Sequence, residues 1–124
     1  MITKFNEYQK EAISMRFSLE KFKENNPDLP ENVLKLMALT YDGLGLGEAG
    51  EVQGKIKKII RDNGGVITEE NVIEIISEMG DNLYYLASMC DVLGTTLCEV
   101  ATYNINKIIS RKERNTLRGS GDNR

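Results

Sequence analysis

Histidine and tryptophan are both absent from this sequence of 124 residues, and proline and cysteine occur only twice each. Without histidine, a Ser-His-Asp triad, a His-ligated zinc site and the Glu-x-x-His di-iron site of helical bundles are all excluded. Any catalysis must then use carboxylates, lysine, tyrosine, hydroxyl groups or a metal-bound water. The two cysteines, Cys90 and Cys98, lie in periodic apolar stretches, which favours reduced core thiols in a cytoplasmic protein over a disulfide.

Long apolar runs and a strong charge of one sign are also absent. No run approaches the roughly 18 residues that a membrane span requires, and the charged start "MITKFNEYQKEA" predicts no signal peptide. The net charge of -3 gives no electrostatic case for stable nucleic-acid binding. With 40% apolar and 28% charged residues, the composition indicates one globular domain, which we place at residues 1–117 before an irregular tail at 118–124.

Apolar residues recur at spacings of three and four along most of the chain, which is the period of a helix. Short connections and the lack of strand-like alternation predict an all-α fold, a bundle of four to five helices that oligomerises through them. Thr68, the capping-box pair Thr96 and Glu99, and Gly94 mark helix ends, and the glycines between 43 and 47 predict a break or bend. The predicted helical regions cover about residues 4–23, 33–62, 69–93 and 96–113.

Two pairs of acidic residues stand one helical turn apart on neighbouring helical regions. Glu48 and Glu51 share a sector of about 80° with two lysines, Lys55 and Lys58, on the second region. On the third region Glu78 lies with Glu74 and Asp81, opposite a stripe that we expect to face the core. That stripe consists of Ile76, Met79, Leu83, Ala87 and Cys90.

The side of the third region that carries the acids becomes apolar farther along the helix. Tyr85, Met89 and Val92 lie there. A helix with apolar residues on two sides is buried on both, either by a further helix or by a second subunit. We therefore expect the carboxylates to line an interior groove.

Four carboxylates on two helices suit Mg²⁺, a hard cation that takes oxygen ligands and keeps some water. Zinc and softer metals are disfavoured, because histidine and clustered thiols are missing. Lys55 and Lys58 would then meet a phosphate chain. The alternative is a solvated charged face in which Glu51 and Lys55 form an ordinary i,i+4 ion pair, and the residues by themselves leave both interpretations open.

The segment "GLGLGEAGEVQGKIKKIIRDNG", followed by "EIISEMGDNLYYLASMCDVLG", resembles the MazG-type nucleotide pyrophosphohydrolases of the all-α NTP pyrophosphohydrolase superfamily. The family motif E-x-x-E, a spacer and E-x-x-D corresponds to Glu48, Glu51, Glu78 and Asp81. The likeness extends along most of the chain and is closest to the short phage or prophage type. The sequence departs from the family where tryptophan-type aromatics follow the second pair, because Tyr84 and Tyr85 stand there.

The resemblance implies Mg²⁺-dependent hydrolysis of a ribo- or deoxyribonucleoside triphosphate between its α and β phosphates, with Mn²⁺ as a possible substitute. The four acids would be catalytic metal ligands, and a metal-bound water would attack the α-phosphorus to give a monophosphate and pyrophosphate. Either Glu48 or Glu51 would orient that water. The resemblance also implies nucleotide-pool housekeeping by a homodimer or homotetramer in the cytoplasm.

Candidate substrate contacts lie on the last helical region and beside the second acid pair. Asn104 falls within an apolar stripe, so we expect a buried amide that contacts the nucleotide, with Lys107 and Arg111 on the phosphates. The alternative is a basic helix end that complements the helix dipole. Tyr85 is a candidate for stacking on the base, or else a packing residue.

A second class of function also fits these residues: a catalytically silent helical scaffold or interaction module that keeps its acids for metal-supported structure. Product analysis with several nucleotides separates the two. The sequence leaves the base and sugar preference open.

Overall fold

The computed structural model describes residues 4–16, 18–47, 49–118, 120 and 121. No strand occurs within these ranges, so the predicted all-α fold is confirmed. Two of the four predicted helical regions are each divided in two, which gives six helical segments over the described residues. They are α1 (Phe5–Ser14), α2 (Ser18–Asn25), α3 (Glu31–Leu46), α4 (Ala49–Asp62), α5 (Glu69–Val92) and α6 (Leu97–Glu113).

The last two helices begin and end where the local signals predict. Thr68 caps α5 by accepting a hydrogen bond from the Asn71 backbone N–H at 3.2 Å, and the Asn71 side chain accepts one from the Thr68 N–H. Thr96 and Glu99 form the same reciprocal box at the start of α6. Gly94, with φ at 71°, ends α5 in the left-handed region that favours glycine.

The first predicted helix is wrong as a single element, because the chain turns between α1 and α2. The Arg16 side chain at this turn is only 5% exposed and forms ion pairs with Glu20 and with Asp91 of α5. The Tyr84 hydroxyl donates to the Met15 carbonyl at 3.4 Å. The contacts with Asp91 and Tyr84 come from distant parts of the sequence, so helical periodicity carried no sign of the turn.

The predicted break or bend in the glycine-rich segment is confirmed as a break, because α3 ends at Leu46 and α4 begins at Ala49. Gly47 caps α3, with its N–H donating to the Leu44 carbonyl at 3.0 Å. Gly43 and Gly45 lie within α3 itself, so the break comes at the end of the glycine run. The chain then resumes as α4, which carries the lysines of the predicted site.

Helix α5 is the central element, and it packs against α1, α3, α4 and α6. One core cluster joins α1, α5 and α6 and contains Ala12, Ala87, Cys90 and Leu97. A second joins α2, α3 and α5 and contains Leu19, Leu34, Ala38 and Val92. The expected burial of α5 on two sides is therefore confirmed for its C-terminal half, where other helices of the same chain supply it.

The N-terminal half of α5 differs from the prediction. Ile76 and Met79, which we expected in the core, are 60% and 57% exposed. The reason is geometric, since the cluster with α1 and α6 forms only around Ala87 and Cys90, two to four turns farther along α5. The predicted apolar stripe thus extends into the N-terminal half of α5, where no other helix among the described residues buries Ile76 or Met79.

A buried carboxylate lies at the contact of α3 with α5. Asp42 is 1% exposed and accepts a hydrogen bond from the Ser88 hydroxyl at 2.7 Å. Burial raises the pKa of Asp42 above its usual range, and the Ser88 hydrogen bond and the nearby charge of Arg16 only partly offset this. This polar contact fixes how α3 lies on α5, one turn from the aromatic residues of the candidate site.

Among the helices that the structure describes, none combines the length and the apolar character needed to cross a membrane. Cys90 is buried and Cys98 is partly buried, and both are free thiols, as predicted. Burial raises the pKa of the Cys90 thiol, so it behaves as a core residue.

Candidate metal and nucleotide site

Helix α4 carries the first acid pair and the lysines. Glu51 lies exposed in the first turn of α4, where the helix dipole favours a negative charge. Glu48, predicted as its partner, lies outside the described residues. The structure therefore places half of the first pair, at the solvent end of the contact between α4 and α5.

Helix α5 carries the second acid pair near its middle. The Glu78 side chain is 15% exposed, whereas Asp81, three residues later, is exposed. The Asn82 side-chain amide donates to the Glu78 carbonyl at 2.9 Å within the same helix. The expected interior groove is thus partly present, since one of the three described acids is sheltered and the other two face solvent.

Lys55 joins the two helices. Its Nζ lies 3.6 Å from Glu78 Oε1 and 3.8 Å from Glu74 Oε2, and the side chain is 26% exposed. The i,i+4 pair with Glu51, which a merely solvated helix face would favour, is replaced by these contacts across to α5. Lys55 and Glu78 were assigned to one site from the sequence, and the structure brings these two side chains together.

The four-acid metal cluster itself is not assembled in the part of the chain that the structure describes. Within these residues no three acids or cysteines come close enough to share an ion. Their chemistry still fits magnesium, because Glu51, Glu78 and Asp81 offer carboxylate oxygens alone. The fourth predicted ligand, Glu48, lies outside the described residues, so the set of four ligands stays a prediction.

Lys58 lies farther along α4 at a polar cleft of about 340 Å³. Asn63 and Asn71 line this cleft together with Lys55 and Glu74. The cleft therefore adjoins the Lys55–Glu78 contact, and Asp62 and Glu70 line it as well, so three carboxylates stand beside the two ammonium groups. The phosphate contacts of the two lysines stay a prediction.

Tyr85 packs beneath the site, one turn beyond Asp81. Its ring lies edge-on to Tyr84, with the ring centres 5.4 Å apart. A Cβ added to Gly45 of α3 would lie 2.4 Å from the Tyr85 ring, so glycine is required there for the helices to approach. The structure thus shows Tyr85 half-buried in helix packing, and stacking on a base remains a prediction.

Tyr8 of α1 is a neighbour of the site that sequence reasoning missed. It packs on the core cluster beside Leu83 and Tyr84. Burial first, and then the nearby charges of Asp81 and Tyr84, raise the pKa of Tyr8 above its usual value. The periodicity of α1 assigned Tyr8 to the core. The hydroxyl group of Tyr8 was the one feature of the sequence that could have suggested a place near a polar site.

The residues predicted on α6 have diverse environments. Asn104, which we expected to be buried, is exposed, because α6 packs on α1 and on the C-terminal part of α5 through another face. Lys107 is half-buried. Arg111 is 8% exposed, and its Nη2 donates to the Gly121 carbonyl at 3.4 Å, so it ties the tail to α6.

Comparisons with known proteins agree with the motif. A family model described as the MazG nucleotide pyrophosphohydrolase domain matches residues 39–116, which include all four predicted acids. The chain is 48% identical over 87 residues to the Gene 37 protein of Mycobacterium phage L5, covering 69% of this chain and 76% of that protein. No solved structure matches it significantly.

Proposed function

Because the chain belongs to the MazG nucleotide pyrophosphohydrolase family, we propose that it hydrolyses a ribo- or deoxyribonucleoside triphosphate between the α and β phosphates. The products are a nucleoside monophosphate and pyrophosphate. The observation that carries the proposal is the contact of Lys55 on α4 with Glu78 on α5, because α4 also carries Glu51 and α5 also carries Asp81. The proposed role is control of the nucleotide pool in the cytoplasm.

In this proposal Glu48, Glu51, Glu78 and Asp81 hold Mg²⁺, with Mn²⁺ as a substitute. Magnesium, when bound, neutralises phosphate charge and lowers the pKa of water that it coordinates. Either Glu48 or Glu51 accepts the proton of the attacking water. The sheltered Glu78 and the exposed Asp81 hold their positions along α5 one turn apart, which suits two ligands on one helix face.

The remaining candidate residues bind and orient the substrate. Lys55 and Lys58 bind the triphosphate at the polar cleft, where their charges favour pyrophosphate as the leaving group. Lys107 adds a further phosphate contact, and Asn104 and Tyr85 contact the nucleoside. Arg111 was a candidate for the phosphates, but its bond to the tail supports a structural role instead.

The test is a product-resolved assay with a panel of canonical ribo- and deoxyribonucleoside triphosphates and Mg²⁺ in ¹⁸O-labelled water. We expect monophosphate and pyrophosphate, with the label in the monophosphate, because water attacks the α-phosphorus. Orthophosphate as the product would contradict cleavage between the α and β phosphates. If no nucleotide is turned over with either Mg²⁺ or Mn²⁺, the silent-scaffold alternative stands instead.

Two variants test the acid assignment in the same assay. Glu51→Gln and Asp81→Asn remove one carboxylate charge each from exposed positions, so both should fold normally and lose activity. Glu69→Gln is the matched control, because Glu69 is an exposed acid of α5 outside the motif. Full activity in either motif variant would refute the ligand assignment.

A homodimer or homotetramer is part of the proposal, and exposed apolar residues of α4 and α5 support it. Ile60, Ile76 and Met79 are each more than half exposed. Met79 also borders a groove of about 480 Å³ with Val52 and Leu86. Monomers rarely expose large apolar patches, and these residues lie on the two helices that carry the candidate site. A second copy on this face would complete the burial that the sequence predicts for α5.

Light scattering measures the assembly directly. The wild type should have the mass of two or four chains, and Ile76→Asp should shift it towards one chain. Leu36→Asp on α3, which is 62% exposed, provides the matched control with the same change elsewhere. A wild type with the mass of one chain at micromolar concentration would refute the oligomer.

A further inference from the structure

The contact between Lys55 and Glu78 is the most sheltered interhelical ion pair at the candidate site. Glu78 is 15% exposed and Lys55 is 26% exposed, whereas Glu74, the second partner of Lys55, is 45% exposed. The ammonium lies against Glu78 Oε1 at 3.6 Å. The same carboxylate is assigned to the divalent cation in the proposed function, so Lys55 and the cation need the same ligand.

The two cations cannot share this carboxylate without strong repulsion. A divalent cation lies roughly 2.1 Å from a carboxylate oxygen that it binds. The Lys55 ammonium lies 3.6 Å from Glu78 Oε1, so the two positive charges would be only a few ångströms apart. At this separation, and with water partly excluded, the repulsion is large compared with thermal energy. Lysine can withdraw at little cost, because its charge lies at the end of a flexible four-carbon chain.

We propose that Lys55 is an exchangeable counter-ion, which neutralises Glu78 until a divalent cation binds there and then moves to the triphosphate. The inference rests on the proposed function and deepens it. The polar cleft beside the pair gives the ammonium a place to move, since Lys55 itself lines that cleft with three acids, Asp62, Glu70 and Glu74.

Exchange of this kind couples the two ligands. When a cation binds Glu78, Lys55 becomes available to bind phosphate. When phosphate binds Lys55, the Glu78 carboxylate becomes available to bind the cation. By linkage, each ligand strengthens binding of the other through this one side chain. Lys55 therefore acts on both ligands, and its removal should strengthen cation binding and weaken triphosphate binding at the same time.

The decisive measurement is Mn²⁺ binding to the full chain without nucleotide, followed by the electron paramagnetic resonance signal of free Mn²⁺. Lys55→Met keeps the apolar stem and the helix propensity but removes the competing charge. Its dissociation constant for Mn²⁺ should fall about five- to tenfold. Lys55→Arg should raise the constant, because guanidinium holds a carboxylate through two hydrogen bonds.

Lys57→Met is the matched control, since Lys57 is an exposed lysine on the same helix and its loss also removes one positive charge. It should leave Mn²⁺ binding unchanged. Adding Glu78→Gln to Lys55→Met should abolish the gain, which locates the competition at Glu78. Circular dichroism confirms that each variant is folded, and Lys55→Gln serves as a second neutral variant.

The triphosphate side has its own readout. In the turnover assay Lys55→Met should raise the KM for the nucleotide, while Lys57→Met should not. Unchanged or weaker Mn²⁺ binding by both Lys55→Met and Lys55→Gln would overturn the exchange, even if the protein remains an active pyrophosphohydrolase. Conversely, an inactive wild type would refute the proposed function, while the Mn²⁺ series would still decide the exchange.

Discussion

Gly45 provides a stringent test of how α3 packs against α5. A Cβ at this position would lie 2.4 to 2.5 Å from three atoms of the Tyr85 ring, well inside the contact distance of about 3.4 Å. The ring would have to retreat by about 1 Å from its place beside Tyr84. Gly45→Ala therefore introduces overpacking at the base of the candidate site.

Gly43 is the natural control, because it lies in the same helix and a Cβ there meets nothing within 4 Å. Replacing glycine by alanine inside a helix gains about 1 kcal/mol of stability from propensity alone. That gain applies at both positions and cancels in their difference. Overpacking typically costs about 1–3 kcal/mol, so Gly45→Ala should be less stable than Gly43→Ala by that amount.

Urea unfolding followed by circular dichroism at 222 nm measures this difference through the midpoint, provided that the slope m is unchanged. Gly43→Ala should exceed the wild type in its free energy of unfolding. If Gly45→Ala equals or exceeds Gly43→Ala, the close contact with Tyr85 does not exist as described. A rise in KM for Gly45→Ala alone would further support a role for Tyr85 near the substrate.

Two further predictions concern a buried and an exposed side chain. The folded-state pKa of Asp42 is raised above its ordinary value of 3.8, so the stability that this residue contributes is complete below that value and is lost as the pH rises through the folded pKa. The stability of Asp42→Asn relative to the wild type should therefore rise between about pH 4 and pH 8. Urea midpoints at several pH values measure this difference, and a difference between the two proteins that does not change with pH would contradict the raised pKa. Asn104 is exposed on α6, so Asn104→Ala should raise the thermal midpoint slightly, because alanine is the better helix former. If the Asn104 amide binds the nucleotide, the KM of Asn104→Ala should rise roughly three- to tenfold. Asn106 is a neighbouring exposed asparagine, and Asn106→Ala should leave KM unchanged. Equal KM values for the two variants would remove Asn104 from the site.

The helix ends and the spacing of the acids were predictable because they depend on local chemistry. The capping boxes at Thr68 and Thr96 involve residues three positions apart, and Gly94 needs only its own left-handed backbone. The family motif is also local within each half, which is why Glu78 and Asp81 were assigned to one site before the fold was known. Glu48 lies outside the described residues, so the complete set of four ligands is still a prediction.

The sequence by itself determined an all-α chain, its two acid pairs and its membership of the MazG family, since periodicity, caps and motifs are read over a few residues. Tertiary structure alone decided which partners each side chain meets. Between α1 and α2, Arg16 contacts Asp91, which lies 75 residues away in sequence. Lys55 pairs with Glu74 and Glu78, and not with Glu51 one turn away, because α4 packs against α5. Ion pairs between helices depend on how far apart the side chains lie in the folded structure, and the sequence pattern of a single helix does not give that distance.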